Sequence, residues 1–163
     1  MVVRRAIAGD EPTIRSLRLQ ALTDAPAAFG STYERELART PQDWSRWIEP
    51  NATFLFEEWG LFDEAGAEPS GIVAAMREPD EPGVMQLVSM WVRPSARRAG
   101  VGDALVRTVV DWAAEQQARE LRVWVMQENA PATHLYERNG FRATGRQTVR
   151  ERDGAIEIEM HRH

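Results

Sequence analysis

A chain of 163 residues with 43% hydrophobic and 28% charged side chains has the size and balance of one folded domain, expected here over residues 1–163. The formal net charge of −5 argues against nucleic acid as the main partner, and no run of about 18 apolar residues exists to cross a bilayer, so cytoplasmic residence without membrane association is the expectation. The absence of cysteine excludes a disulfide framework, a thiol nucleophile and thiolate-bound zinc; lysine is absent too, so all twenty basic residues other than histidine are arginine.

Val2 to Ile7 reads as a first strand, and Asp10 with Pro12 marks the start of a helix whose Ile14, Leu17, Ala21 and Leu22 recur at helical spacing and face inward. The stretch Asp24-Ala25-Pro26-Ala27-Ala28-Phe29-Gly30 breaks that pattern, and a second helix is expected from Pro41 to Ile48, carrying Trp44 and Trp47. Thr53 to Glu58 reads as a strand, Trp59 to Ser70 as a turn region around Gly60, Gly66 and Pro69, and Gly71 to Arg77 as the antiparallel partner. After the Pro79–Gly83 turn come a strand over Val84–Val92 and a helix over about Val101–Ala118, with Val101, Leu105, Val109 and Trp112 in one stripe. Leu121–Met126 reads as a central strand. Pro131 suits the first turn of a further helix and Gly140 its end, and Phe141–Arg150 and Ala155–Arg162 read as a hairpin across Asp153-Gly154.

Chemistry concentrates where the strand Val84–Val92 runs into the next helix. There Arg97-Arg98-Ala99-Gly100-Val101-Gly102-Asp103 places two guanidiniums and two glycines at a helix N-terminus, whose N–H groups have no intrahelical partner and sit at the positive end of the helix dipole. Such a turn suits a phosphate, and the arginines add charge-assisted donors. A Walker A loop is excluded for want of lysine, and a dinucleotide fingerprint lacks its third glycine, since Leu105 stands in that place. A plain reading of the same residues has the glycines shaping the helix start and the arginines solvated.

The pattern Arg97-x-x-Gly100-x-Gly102, preceded by Val92-Arg93-Pro94, resembles the signature of the GCN5-related N-acetyltransferases. A second block, Asn129-x-x-Ala132-x-x-Leu135-Tyr136-Glu137-x-x-Gly140-Phe141, is similar to that family's helix and following strand. The resemblance covers about Val84 to Arg146, and the order of elements extends it to the flanks. It implies an α/β (α+β) fold with a mixed, mostly antiparallel central sheet flanked by helices. It also implies acetyl-CoA as acetyl donor, with no metal, and direct transfer to a primary amine of a small molecule or peptide.

The resemblance further implies that Arg97, Arg98, Ala99, Gly100, Val101, Gly102 and Asp103 hold the pyrophosphate. Met90, Trp91 and Val92 would pair with the pantetheine arm through their main chain, Asn129 would bond its amide, and Tyr136 would act as general acid to the leaving thiolate. A phenol of ordinary pKa near ~10 suits that last role, being protonated at neutral pH. Packing is the alternative for Tyr136, helix capping for Asn129 and sheet core for Met90 and Val92. The base is open: Gln86 stands where histone-type members carry Glu, leaving a water chain to Glu34, Glu36, Glu57 or Glu58, each of which is otherwise expected as a solvated surface carboxylate, or Ser89 orienting water. His134 is expected at the surface, His161 and His163 on one face of the last strand, and Trp112 and Trp124 in core stripes; for Trp44 and Trp47, core packing is preferred over an acceptor lid. A non-catalytic acyl-CoA sensor, transfer of a different acyl group and a hydroxyl acceptor stay as alternatives. The acidic balance favours a cationic acceptor, and a homodimer is left open.

Overall fold

The architecture is a seven-stranded sheet with helices on both faces, seen in a computed structural model that describes residues 2–57 and 68–163. Of the turn region expected over Trp59–Ser70, residues 59–67 lie outside the described residues, as does Glu58. In chain order come β1 (Val2–Arg5), α1 (Glu11–Asp24), α2 (Tyr33–Leu37), α3 (Pro41–Ser45), β2 (Ala52–Glu57), β3 (Gly71–Arg77) and β4 (Val84–Val92). There follow α4 (Val101–Glu115), β5 (Glu120–Met126), α5 (Ala130–Arg138), β6 (Arg142–Val149) and β7 (Ile156–Arg162). The strands stand in the order β1-β2-β3-β4-β5-β7-β6, and every neighbouring pair is antiparallel except β4 and β5.

Alternation along the strands builds two cores. Phe54 and Phe56 of β2, Val73 and Ala75 of β3 and Met85 and Leu87 of β4 face α4, whose Val101, Leu105, Val109 and Trp112 are buried as the helical stripe requires. The intervening Leu55, Ile72 and Trp91 face α1, where Ile14, Leu17, Ala21 and Leu22 are buried with Phe29 and Trp44. Each aliphatic side chain so buried contributes about 1.5–3 kcal/mol.

In β4 the parity changes midway. Val88 is opposite Ala74 while Trp91 is opposite Ile72, so three steps on β4 match two on β3, and Ser89 takes a left-handed φ of 60°. The extra residue moves the α4-facing set from Met85 and Leu87 to Met90 and Val92 and turns Trp91 to α1.

Four expectations need correction. The helix expected over Pro41–Ile48 ends at Ser45, and another precedes it, because two threonines each start a short helix. Thr32 Oγ1 accepts from Arg35 N (3.2 Å), and Thr40 forms a reciprocal capping pair with Asp43 (3.2 and 2.8 Å). The β6–β7 connection is a loop over Arg150–Ala155, closed by Arg150 N–H to Ala155 O and Gly154 N–H to Arg150 O (both 2.8 Å), and not a two-residue turn. Helix α4 stops at Glu115, before Ala118. Trp124 leaves the core stripe, because Leu121, Val123 and Val125 take the α4 side of β5 and turn it, half-buried, to the other face.

Candidate functional site

The parallel strands β4 and β5 share three residue pairs, Val84–Glu120, Met85–Leu121 and Gln86–Arg122, and no further pairing. Beyond Gln86 the sheet therefore opens as a wedge toward the carboxyl ends of both strands. The N-termini of α4 and α5 also lie there, one following each strand, which is where open α/β sheets bind ligands.

At the head of the wedge the chain passes from β4 through a 3-10 turn (Pro94–Ala96) into the sequence Arg97 to Asp103. Arg98 (φ 65°) and Gly100 (φ 82°) are both left-handed, a geometry that turns successive N–H groups to one side. The first main-chain bond of α4 runs from Ala104 N to Gly100 O (3.0 Å), and the N–H groups of residues 98–103 donate to no acceptor among the described residues. Six consecutive unpaired N–H groups beside a helix N-terminus are the kind of donor set that an anion can bind. A Cβ at Gly100 would meet nothing within 4 Å, so glycine serves the backbone there; at Gly102 it would stand 3.4 Å from Leu135 Cδ2 and Met90 Cε, where α4, α5 and β4 converge.

The two arginines part company. Arg98 is exposed, and its guanidinium makes no hydrogen bond or ion pair among the described residues. Arg97 folds back: its Nε donates to Val92 O (2.9 Å) and its Nη2 pairs with the Asp24 carboxylate at the end of α1. The Trp91 indole N–H donates to the same Asp24 oxygen (3.0 Å) and, together with Arg97, holds that carboxyl below the usual carboxylate range. The Asp103 side chain is engaged with Arg138 (3.0 Å) and Asn139 (2.9 Å) at the end of α5, so only its N–H is available to a ligand.

Of the second block, Asn129 caps α5, its Oδ1 accepting from Ala132 N (3.2 Å), while its Nδ2 has no partner among the described residues. Tyr136 is 5% exposed, its ring edge-on to Phe141 at 5.6 Å. Burial pushes its phenol above its ordinary value, so it stays protonated. The alternatives of packing and capping are thus met, and among the described residues neither occupies the phenol O–H or Asn129 Nδ2.

The carboxylates considered as bases are mostly committed. Glu36 is buried against Arg18 (2.8 Å) and Arg39; burial alone would raise its pKa, yet the two guanidiniums hold it below the carboxylate range. Glu57 pairs with Arg4 (2.5 Å), Glu34 is exposed, and Gln86 donates from Nε2 to Glu78 (2.7 Å). Two features escaped the sequence reading. Glu159 is a 3%-exposed carboxylate opposite Trp124, accepting from Thr144 Oγ1 (3.0 Å). In the β6–β7 loop, Arg150 donates to Phe29 O (3.0 Å) and Ala27 O (2.9 Å), and Arg152 to Gly30 O (2.9 Å), Phe29 O (2.6 Å), Ser31 O (3.2 Å) and Pro26 O (3.3 Å). The loop after α1 is thereby clasped to the far edge of the sheet.

Trp44 is buried in the α1 core, whereas Trp47 lines a cavity of about 230 Å³ with Arg39, Arg46, Asp43 and Ala74. A larger one of about 490 Å³ lies between α1 and the end of β4, with Arg15, Gln20, Asp24, Trp91 and Arg93 in its wall. Both carry mixed charge, so the net negative charge of the chain does not describe them. His134 is exposed, and His161 bonds Glu120 through Nδ1 (2.9 Å). Among the described residues no three histidine, aspartate or glutamate side chains gather to hold a metal, and no helix is long and apolar enough to cross a membrane.

A family model described as the Acetyltransferase (GNAT) family matches residues 18–141. The chain is 28% identical over 160 residues to the mycothiol acetyltransferase of Acidothermus cellulolyticus, covering 92% of this chain and 47% of that protein. It is 43% identical over 54 residues to the streptothricin acetyltransferase of Streptomyces lavendulae, covering 33% and 29%. The chain thus spans about half the length, or less, of these relatives. Among solved structures it is similar in fold to a GCN5-related N-acetyltransferase from Kribbella flavida, with TM-score 0.75, 24% identity and coverage of 99% of this chain and 96% of that one. It is likewise similar to yncA from Salmonella typhimurium, determined with its cofactor acetyl-CoA, with TM-score 0.79, 18% identity and coverage of 100% and 93%.

Proposed function

The chain belongs to the GNAT family of acetyltransferases, and from that premise we propose that it moves the acetyl group of acetyl-CoA directly to a primary amine of a small molecule or peptide. The observation that carries this reading is the run of six unpaired N–H groups at residues 98–103, which sits at the open end of the β4–β5 wedge. A pyrophosphate on those groups, with Arg98 beside it, points the pantetheine arm down the wedge along the unpaired edge of β4 at Met90–Val92.

Acetyl transfer forms a C–N bond and breaks the C–S bond, so the departing thiolate needs a proton and the amine must shed one. Tyr136 suits the first task, because its buried phenol stays protonated and has no competing acceptor among the described residues. The Asn129 amide, free at Nδ2, suits a pantetheine carbonyl. For the amine's proton Gln86 has no capacity, and solvent is the acceptor most consistent with the committed state of Glu36 and Glu57. Gln86 is also the feature that favours a second reading, an acyl-CoA sensor without turnover.

The test is to incubate the protein with acetyl-CoA and a panel of polyamines, aminoglycosides, amino acids and basic peptides, detecting acetylated product by mass and free thiol by colour. Acetylation of one acceptor class is the expected result. Tight acetyl-CoA binding with only background thioester hydrolysis across the panel counts for the sensor.

A further inference from the structure

The Arg97 guanidinium faces a choice of anions. We propose that Asp24 is a latch on Arg97 that competes with the pyrophosphate for it, so that this carboxylate sets how tightly acetyl-CoA is held and how fast spent CoA departs. The inference rests on reading residues 97–103 as the cofactor turn.

The geometry is the first support. With Nε on Val92 O and Nη2 on Asp24, Arg97 is bonded to the ends of β4 and α1, while the run of unpaired N–H groups begins one residue later. The second support is where Asp24 stands. It is the last residue of the 14-residue helix α1, at the negative end of the helix dipole, where a carboxylate weakens the helix. Helix stability therefore gives no reason for an aspartate here, and its two donors, Trp91 and Arg97, both belong to the strand end and turn that would carry the cofactor.

The balance of strengths makes the pair reversible. The Arg97 and Asp24 side chains are 46% and 28% exposed, and an ion pair this open to water shifts an equilibrium by about five-fold at most. A guanidinium on a pyrophosphate makes parallel charge-assisted bonds of the stronger class. The pyrophosphate therefore displaces Asp24 when acetyl-CoA arrives, and Asp24 recaptures the guanidinium as CoA leaves. Release of product limits the turnover of many enzymes; a waiting carboxylate shortens that step.

Asp24→Asn isolates the charge, since the amide oxygen can still accept from the Trp91 indole, and thermal unfolding checks that the fold is kept. Calorimetry with acetyl-CoA and with S-acetylpantetheine, which lacks the phosphates, is run on the native chain, Asp24→Asn, Arg97→Gln and the double variant. Stopped-flow displacement gives the CoA off-rate. Asp24→Asn is expected to tighten acetyl-CoA about 3- to 5-fold, to slow CoA release by a similar factor and to leave S-acetylpantetheine unchanged. The effect should vanish in the Arg97→Gln background and be absent in Asp24→Glu. Unchanged or weakened acetyl-CoA binding in Asp24→Asn, with the native chain still preferring acetyl-CoA to S-acetylpantetheine, overturns the latch alone. Equal affinity of the native chain for the two ligands overturns the cofactor reading and the latch with it.

Discussion

Replacing Tyr136 by Phe removes a single oxygen and keeps the ring. That ring is 5% exposed and stands against Phe141 at 5.6 Å, and its hydroxyl has no hydrogen-bond partner among the described residues. No packing and no internal bond is lost, so unfolding free energy should stay within about 1 kcal/mol of the native value. If the hydroxyl delivers the thiolate's proton, kcat should fall by about 10²-fold, equivalent to ~2.7 kcal/mol of barrier, while the acetyl-CoA dissociation constant hardly moves. Burial raises the phenol's pKa, so the acid form persists through neutral and mildly alkaline pH. The native kcat profile should accordingly show no falling limb from this group below about pH 10. Initial rates of thiol release across pH, paired with a denaturant melt, separate the two roles. A kcat within two-fold of native in a folded Tyr136→Phe protein would refute the catalytic assignment and leave Tyr136 as core.

Three more outcomes follow from the described contacts. Gly102→Asp should fold, because a Cβ there makes ordinary contacts at 3.4 Å and a carboxylate suits the first turn of α4; set among the unpaired N–H groups, it should weaken acetyl-CoA at least about tenfold in calorimetry, and unchanged affinity would count against the turn as an anion site. Glu36→Gln should cost about 3–5 kcal/mol in urea unfolding by stranding Arg18, whose side chain is 4% exposed, whereas replacing Arg18 and Glu36 together with apolar residues should recover most of it. Arg122, aided by His161, lowers the Glu120 carboxyl to about 2, so its stabilising effect is full above about 4.5 and lost as pH falls toward 2; the acid slope of unfolding stability over that window should be shallower in Glu120→Gln.

Much of this fold is legible because its signals are local. The bounds of β3 and β4 coincide with the apolar runs Gly71–Arg77 and Val84–Val92, and the stripes of α1 and α4 are buried as their spacing requires. The turn proposed to hold the cofactor is readable for the same reason, since its glycines and arginines lie close together in sequence. What the sequence hides is nonlocal. The bulge at Ser89 leaves no glycine or proline to mark it, yet it decides which side chains of β4 meet α4. Arg18 occupies the same helical stripe as Ile14 and Leu22, but a charged residue does not read as core until its partner Glu36 arrives from α2. The retreat of Arg97 to Asp24 joins residues 73 apart, and no spacing rule spans that distance.

The clasp between the β6–β7 loop and the segment after α1 holds backbone alone. Every one of its six bonds ends on a main-chain oxygen of Pro26–Ser31. Arg150 and Arg152 thus grip a ribbon without regard to what hangs from it. The exposed Ala27 and Ala28 can be exchanged while the ribbon keeps its path, whereas Phe29 is also held by its side chain in the α1 core. That separation of grip from content lets the path of this segment outlast changes in its exposed side chains, so long as both arginines are kept.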